Sequence, residues 1–240
     1  MMEKAFSESW FYAPGMEAAG DTYLMPGSEA HHLTKVLRVP AGTRVTASNG
    51  TGSVFLCGTA ESGDTLELTA LEILATSPAP PTVNLALSLL KGRDLEEPVE
   101  GLSQLEIHNI FLVTTDHTQE IKGQDHSKLL DRLRAKSLVG LKQAKKAWLT
   151  EIHAPATLKD WREAWQGLKM VVAAPGADRG LPGPGVPYAL AIGPEGGFSD
   201  RESEWFAIQG AGSLSLGNSR IRATHAPLLA AGKLMGLGLA

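Results

Sequence analysis

The sequence predicts two domains, a small strand-rich one followed by an α/β domain built on a parallel sheet. Three observations carry this. Residues 20–75 break into short, β-branched or alternating segments separated by turn signals. Ser77-Pro78-Ala79-Pro80-Pro81 then interrupts the chain with three prolines, through which neither strand nor helix continues. Beyond it, apolar runs alternate with amphipathic stretches, the pattern of strands covered by helices. The boundary falls between a domain over 1–77 and one over 78–240.

In chain order, Ser28 is placed to cap a helix through Leu37, with Leu33, Val36 and Leu37 as its buried stripe. Strands follow at 43–47, 53–57 and 65–71, joined by Asn49-Gly50-Thr51-Gly52 and Glu61-Ser62-Gly63-Asp64. Such spacing fits a small barrel or sandwich. In the second domain the spacing predicts a strand at 83–89 and a helix from Glu97, with Pro98 in its first turn, to Leu105. A strand at 110–114 and a long helix over 128–148 come next. Met170–Ala174 and Tyr188–Ile192 are continuous apolar runs, expected of buried parallel strands. Ser199 and Glu202 have capping-box spacing for a helix over 200–209. A strand at 213–216 and a helix over 226–237 end the chain.

Composition excludes several classes. No apolar run approaches the roughly 20 residues that span a bilayer. The first residues lack a basic segment followed by an apolar one, so the chain is expected to be cytoplasmic, with no membrane partner. A lone cysteine, Cys57, leaves no internal disulfide or cysteine-rich zinc site, and no metal is expected. The net charge of −4 hides a basic stretch: from Glu120 to Lys146 eight basic residues face three acidic ones. That stretch reads either as a nucleic-acid contact or as a solvated helix face. The phosphate cradles G-x-G-x-x-G and G-x-x-x-x-G-K-[ST], the zinc motif H-E-x-x-H and the hydrolase elbow G-x-S-x-G are all missing.

What remains is a pair of glycine loops. The strand ending at Ile192 enters Gly193-Pro194-Glu195-Gly196-Gly197-Phe198-Ser199 directly, and the capped helix follows. The strand at 213–216 enters Gly217-Asn218-Ser219-Arg220-Ile221-Arg222. Strand, glycine loop and helix start together let backbone N–H groups approach a ligand, and two such loops after neighbouring strands make a nucleotide-sized crevice. Taken alone, each loop is equally a tight turn.

Ile192-Gly193-Pro194-Glu195-Gly196-Gly197-Phe198-Ser199 followed by Leu216-Gly217-x-x-Arg220-Ile221-Arg222 resembles the signature of RsmE-type ribosomal RNA methyltransferases of the SPOUT superfamily. His31-His32-Leu33-x-x-Val36-Leu37-Arg38, Leu90-Lys91-Gly92 and Lys142-Gln143-x-x-Lys146 are similar to further motifs of that family, so the resemblance spans nearly the whole chain. It implies a PUA-like β-barrel followed by a trefoil-knotted α/β domain, and a homodimer. It also implies S-adenosyl-L-methionine as cofactor and methylation of uridine N3 in 16S rRNA, naked or in the assembled small subunit. Carried over by motif, the cofactor-binding positions are Ala173, Ala174, Pro175, Ile192, Gly193, Pro194, Glu195, Gly196, Gly197, Leu216, Gly217 and Arg222. The RNA-binding positions are Arg38, Lys91, Lys142, Lys145 and Lys146.

Two segments depart from the family pattern. Arg222-Ala223-Thr224-His225-Ala226 stands where the family has Arg-Thr-Glu-Thr-Ala, and Ser103-Gln104-Leu105-Glu106 where it has Thr-Glu-Leu-Gly. The catalytic candidates are Arg222, a cation for charge developing on the uracil oxygens, and His225, a proton acceptor of the residue type whose unperturbed pKa lies near neutrality. Each has a structural alternative: an ion pair for Arg222, a helix-start residue for His225. Glu195 either shapes its loop or meets substrate. His31 and His32 either touch RNA or pack in their helix, while the tryptophans at 148, 161, 165 and 205 read as core. Alternatives at the level of function are an RNA-binding protein that has lost the reaction, a methyltransferase with a diverged RNA target, and an enzyme acting on a small nucleotide.

Overall fold

Why the N-terminal segments pair as they do is plainest in the longest of them. In β5 (Thr65–Thr76) Leu66, Leu68 and Ala70 alternate inward while Thr65, Glu67 and Thr69 lie between them, the period of a strand with one buried face. The structure, a computed structural model, describes residues 9–27, 42–62, 65–78, 83–118, 126–176, 178–183, 185–219 and 221–236. The helix expected at 28–37, with His31, His32 and Arg38, lies outside them, as do Arg220 and the prolines at 80 and 81.

Contacts divide the chain into two units, 1–79 with 141–149, and 80–140 with 150–240. The first is a five-stranded sheet in the order β1-β3-β4-β5-β2, with β1 Trp10–Tyr12, β2 Thr22–Leu24, β3 Arg44–Ser48 and β4 Ser53–Ser62. Only β1 with β3 is parallel. Phe11, Met16, Val45, Phe55, Cys57 and Leu68 form the core, and burial pushes the Cys57 thiol up to about 11. The turn between β3 and β4 is built on buried Asn49, whose carbonyl accepts from the N–H of Thr51 (2.9 Å) and Ser53 (3.0 Å) while its amide donates to Met16 O (2.9 Å). Residues 141–149 complete this unit: Leu141 packs with Trp10 and Val54, and the Trp148 indole N–H donates to Ser77 O at 3.2 Å.

The second unit is a six-stranded sheet, parallel throughout, in the order β11-β9-β10-β6-β7-β8. Its strands are β6 Val83–Ser88, β7 Asn109–Thr114, β8 Glu151–Thr157, β9 Lys169–Ala173, β10 Tyr188–Ile192 and β11 Gly212–Leu214. Both faces are covered, as continuous apolar strands require. Leu85, Leu87, Ile110, Leu112 and Leu190 point to one side and meet α1 (Glu96–Leu102), α2 (Ser127–Ala144) and α4 (Ala226–Leu234). Ala86, Phe111, Val113 and Ala191 point to the other and meet α3 (Asp200–Ile208) and a 3-10 helix over Asp160–Trp165. Trp161, Trp165 and Trp205 belong to that second core.

Helix α2 stops at Ala144 rather than at 148. Lys145 turns left-handed at φ +52°, and the N–H of Lys146 reaches back to Leu141 O at 3.0 Å, a Schellman ending made with lysine in place of glycine. The basic stretch is also partly spent. Arg132 pairs with Glu96 at 3.1 Å and Lys136 with Glu100 at 2.7 Å, tying α2 to α1. Glu100 holds the Lys136 ammonium above its usual range.

Candidate active site

Strand register brings the two glycine loops to one edge. In β10, Ile192 pairs with Leu87 of β6 and Ala191 with Val172 of β9, while Ala173 pairs with Leu214 of β11. All six strands are parallel, so Ala173-Ala174-Pro175, Ile192–Gly197, Leu216-Gly217 and Lys91 leave the sheet at its carboxyl edge. The N–H of Ala174 donates to Leu214 O at 3.0 Å, keeping the exits of β9 and β11 side by side. Connections run outward in opposite directions from β6 and β10, which makes this edge a topological switch point, where open α/β sheets hold ligands.

The first loop is shaped by its own backbone. Gly197 N–H donates to Pro194 O at 2.8 Å, and Gly197 sits at φ +71°. A Cβ on Gly197, or on Gly217 at φ +94°, would meet no atom of the described residues within 4 Å, so among these both glycines turn a bare backbone toward open space. Pro194 is buried, while Glu195 and Gly196 are exposed. The capping box expected from sequence closes the loop: the Ser199 hydroxyl accepts from Glu202 N–H at 3.3 Å, and the Glu202 carboxylate accepts from Ser199 N–H at 2.8 Å.

Glu202 does more than cap. It is 8% exposed, and its second oxygen accepts from the backbone N–H of Asp116 at 2.9 Å, in the loop after β7. Asp116 reaches back to the Ser199 hydroxyl and to Arg201, and these two partners, in that order, hold its carboxyl below the usual range. Beside it, His117 Nδ1 lies 3.0 Å from Gly197 O, and a Cβ on Gly196 would stand 3.3 Å from the His117 side chain. The loop after β7 and the first glycine loop are therefore one hydrogen-bonded body. A cavity of about 530 Å³ opens beside it, between the exits of β7 and β8 and α3, lined by Thr114, Asp116, Lys159, Arg201 and Trp205 among others.

The second loop has its own clamp. Asp178 accepts from Ser215 N–H at 2.8 Å, and Lys233 of α4 donates to both Ser215 O (2.8 Å) and Asp178 (2.7 Å). Those bonds, Lys233 first and the Ser215 N–H second, hold the Asp178 carboxyl below its usual range. Arg222 and His225 follow this loop, and both are exposed. Arg222 O accepts from the N–H groups of His225 (2.9 Å) and Ala226 (3.0 Å), and His225 stands at the N-cap of α4 without a side-chain capping bond.

The lysines read from sequence behave unequally. Lys145 is exposed and Lys142 half-buried, but Lys146 is only 7% exposed. All three belong to the first unit, and Lys91 is exposed in the second. Gln104, Leu105 and Glu106, in a segment that departs from the family pattern, line a cavity of about 610 Å³ with Val83 and Tyr188 at the amino-terminal ends of β6 and β10. Sequence reading missed Asp116, His117, Asp178 and Lys233. For the first two a signal existed, since they directly follow a strand at the edge where parallel sheets bind ligands. For Asp178 and Lys233 there was none.

A parallel α/β sheet with paired glycine loops at its carboxyl edge is the arrangement that nucleotide-binding α/β proteins share, here with a small strand-rich unit attached. Residues 77–235 match a family model described as an RNA methyltransferase domain, and residues 26–58 one described as an RNA methyltransferase PUA domain. The chain belongs to this RNA methyltransferase family. It is 27% identical over 229 residues to the ribosomal RNA small subunit methyltransferase E of Synechocystis sp., covering 90% of this chain and 73% of that one. A Legionella pneumophila structure described as a methyltransferase in complex with the bound cofactor SAM shares the fold (TM-score 0.83, 24% identity, 95% of this chain and 96% of that one). So does a ribosomal RNA small subunit methyltransferase E from Neisseria gonorrhoeae bound to S-adenosyl methionine (TM-score 0.79, 20% identity, 94% and 96%). The architecture implied by the resemblance, a PUA-like domain before a parallel sheet with helices on both faces, is the one present.

Proposed function

We propose that this chain is an S-adenosylmethionine-dependent methyltransferase acting on N3 of a uridine in 16S rRNA, in the cytoplasm and as a homodimer with a knotted C-terminal segment. The observation that carries the reading is the pair of positive-φ glycines, Gly197 and Gly217, facing open space at the carboxyl edge of the sheet. A cofactor with an adenosine and an amino-acid portion fits that edge, where bare backbone from both loops is available for close approach. Ala173–Pro175, Ile192–Gly197 and Leu216-Gly217 would hold it. When bound, it supplies an electrophilic methyl group.

The chain's own part is to bind, orient and manage charge. Removing the N3 proton leaves negative charge on the uracil oxygens, and Arg222, exposed at the exit of the second loop, is the cation offered to it. His225, the candidate that the sequence offered for the proton acceptor, is exposed three residues on. The name of the Synechocystis relative supports RNA of the small subunit as substrate, and the PUA match supports RNA. The test is direct: incubate the chain with labelled cofactor and either assembled small subunits or naked 16S rRNA, digest, and identify the modified nucleosides. N3-methyluridine is expected, and its absence from both substrates removes the assigned reaction.

RNA binding through the end of α2 is part of the same reading. Lys142 and Lys145 are the residues to test, because truncating the buried Lys146 would disturb packing as well as charge. Each phosphate left without its lysine should flatten the slope of log K against log salt by roughly 0.7–0.9. The Lys142→Gln, Lys145→Gln double variant is expected to bind RNA more weakly with the shallower slope, at unchanged cofactor affinity. An unaltered slope would return these lysines to solvent.

A further inference from the structure

We propose that His117 accepts the N3 proton of the target uridine, the role the sequence offered to His225. This rests on the N3-methylation reading above. In the transfer the N3–H bond breaks and its electron pair forms the bond to the incoming methyl carbon. The pair of the S–CH3 bond returns to sulfur, which loses its positive charge, and the released proton needs a base. Imidazole becomes imidazolium, and charge balances.

Geometry selects His117. Its Nδ1 lies 3.0 Å from Gly197 O, and a carbonyl oxygen can only accept, so Nδ1 carries a proton in both charge states. The neutral ring then has its lone pair on Nε2, the atom a general base needs. The side chain is exposed, as a base that meets a substrate must be, and it sits against Gly196 and Gly197 of the cofactor loop. Its own loop is held from behind, because Asp116 bonds Glu202 through its backbone and Ser199 and Arg201 through its side chain. His225 shows no comparable anchor among the described residues: its imidazole makes no capping bond at the start of α4.

Among the described residues, the charged groups around His117 are Asp116 on its own loop, Glu195 in the glycine loop, and Arg201 and Glu202 at the start of α3. Asp116, held below the usual carboxylate range by Ser199 and Arg201, stays ionised near neutrality. An acid limb in the rate therefore points to an imidazole and not to Asp116.

Single-turnover rates on small subunits lacking the modification, at saturating cofactor and across about pH 5.5 to 8.5, bracketing the ordinary imidazole range, test the assignment. His117→Gln keeps a neutral polar side chain of similar length but has no base. Its rate is expected to fall about 10²–10⁴-fold and lose the acid limb, with cofactor affinity by calorimetry within a few-fold of wild type. Added imidazole should restore part of the rate in His117→Ala, while His225→Ala keeps the limb. A second readout needs no cofactor: nitrogen-15 spectra of the imidazoles in the free chain should show Nε2 of neutral His117 unprotonated. A His117→Gln rate within a few-fold of wild type with its acid limb intact, or an unprotonated Nδ1, overturns the proposal. Wild type that makes another methylated nucleoside overturns the N3 reading instead, and this role with it.

Discussion

Gly197→Val is expected to abolish S-adenosylmethionine binding while the protein stays folded. The two halves of that expectation have separate causes. A β-branched residue at φ +71° is strained, at a cost of about 1–3 kcal/mol, which a chain of this size with two buried cores should survive. Binding suffers more, because the new side chain projects where no atom of the described residues stands within 4 Å, into the space assigned to the ligand. Calorimetric titration should show affinity reduced by at least about 100-fold, close to 3 kcal/mol. Gly197→Ala should lie between the two. Gly196 would be a poorer probe, since a Cβ there presses on His117 at 3.3 Å and mixes a protein contact with the ligand effect. Unchanged affinity in the valine variant, with a lowered melting temperature, would make the loop a turn and move the cofactor elsewhere.

Which parts of the molecule could be read in advance follows from where the information lies. Strand β10 coincides with its apolar run, Tyr188–Ile192, and α3 begins where Ser199 and Glu202 place it, because both depend on local pattern. Strand β8 was invisible. It lies at the sheet edge, buries only Ile152 fully, and carries Pro155, so it shows neither alternation nor an apolar run. β1 and β2 are three residues each, too short for a period. The end of α2 was misplaced because the apolar spacing continues to Trp148 while the backbone turns at Lys145. Those later residues are apolar for another reason: Ala147 and Leu149 pack against Trp10, Val54 and Leu141 in the first unit.

The site divides in the same way. Glycine loops declare themselves by composition, so their strands and their common edge were legible. Charge was counted without its partners, so Arg132, Lys136 and Lys146 looked alike, although two are paired to α1 and the third is buried. His117 carries no motif. Its meeting with Gly197 depends on β7 lying two places from β10 in the sheet, with β6 between them, a tertiary fact that no local pattern encodes.

Glu202→Ala is expected to be the most destabilising single truncation at this edge, and to damage the site with the fold. Its carboxylate serves two backbone donors, Ser199 N–H at 2.8 Å and Asp116 N–H at 2.9 Å, in a place only 8% exposed. An unsatisfied donor costs about 1–3 kcal/mol, so leaving both without their acceptor should remove roughly 2–6 kcal/mol, read as a lower urea midpoint at unchanged slope. Glu202→Gln keeps one acceptor oxygen and turns an NH2 toward the other donor, so it should lie between. Asp116 separates the helix from the junction. Its folded pKa is lowered, so the stability it adds is present above the ordinary carboxylate pKa and is lost as pH falls through the lowered value. Asp116→Asn should therefore narrow the stability gap between neutral and strongly acid solution while leaving the capping box of α3 in place. If the loop after β7 is held to the glycine loop as described, Glu202→Ala should also weaken cofactor binding and release His117 from Gly197 O, freeing both imidazole tautomers in nitrogen-15 spectra. A Glu202→Ala variant that loses stability but keeps wild-type affinity and a single His117 tautomer would show that Glu202 only caps its helix.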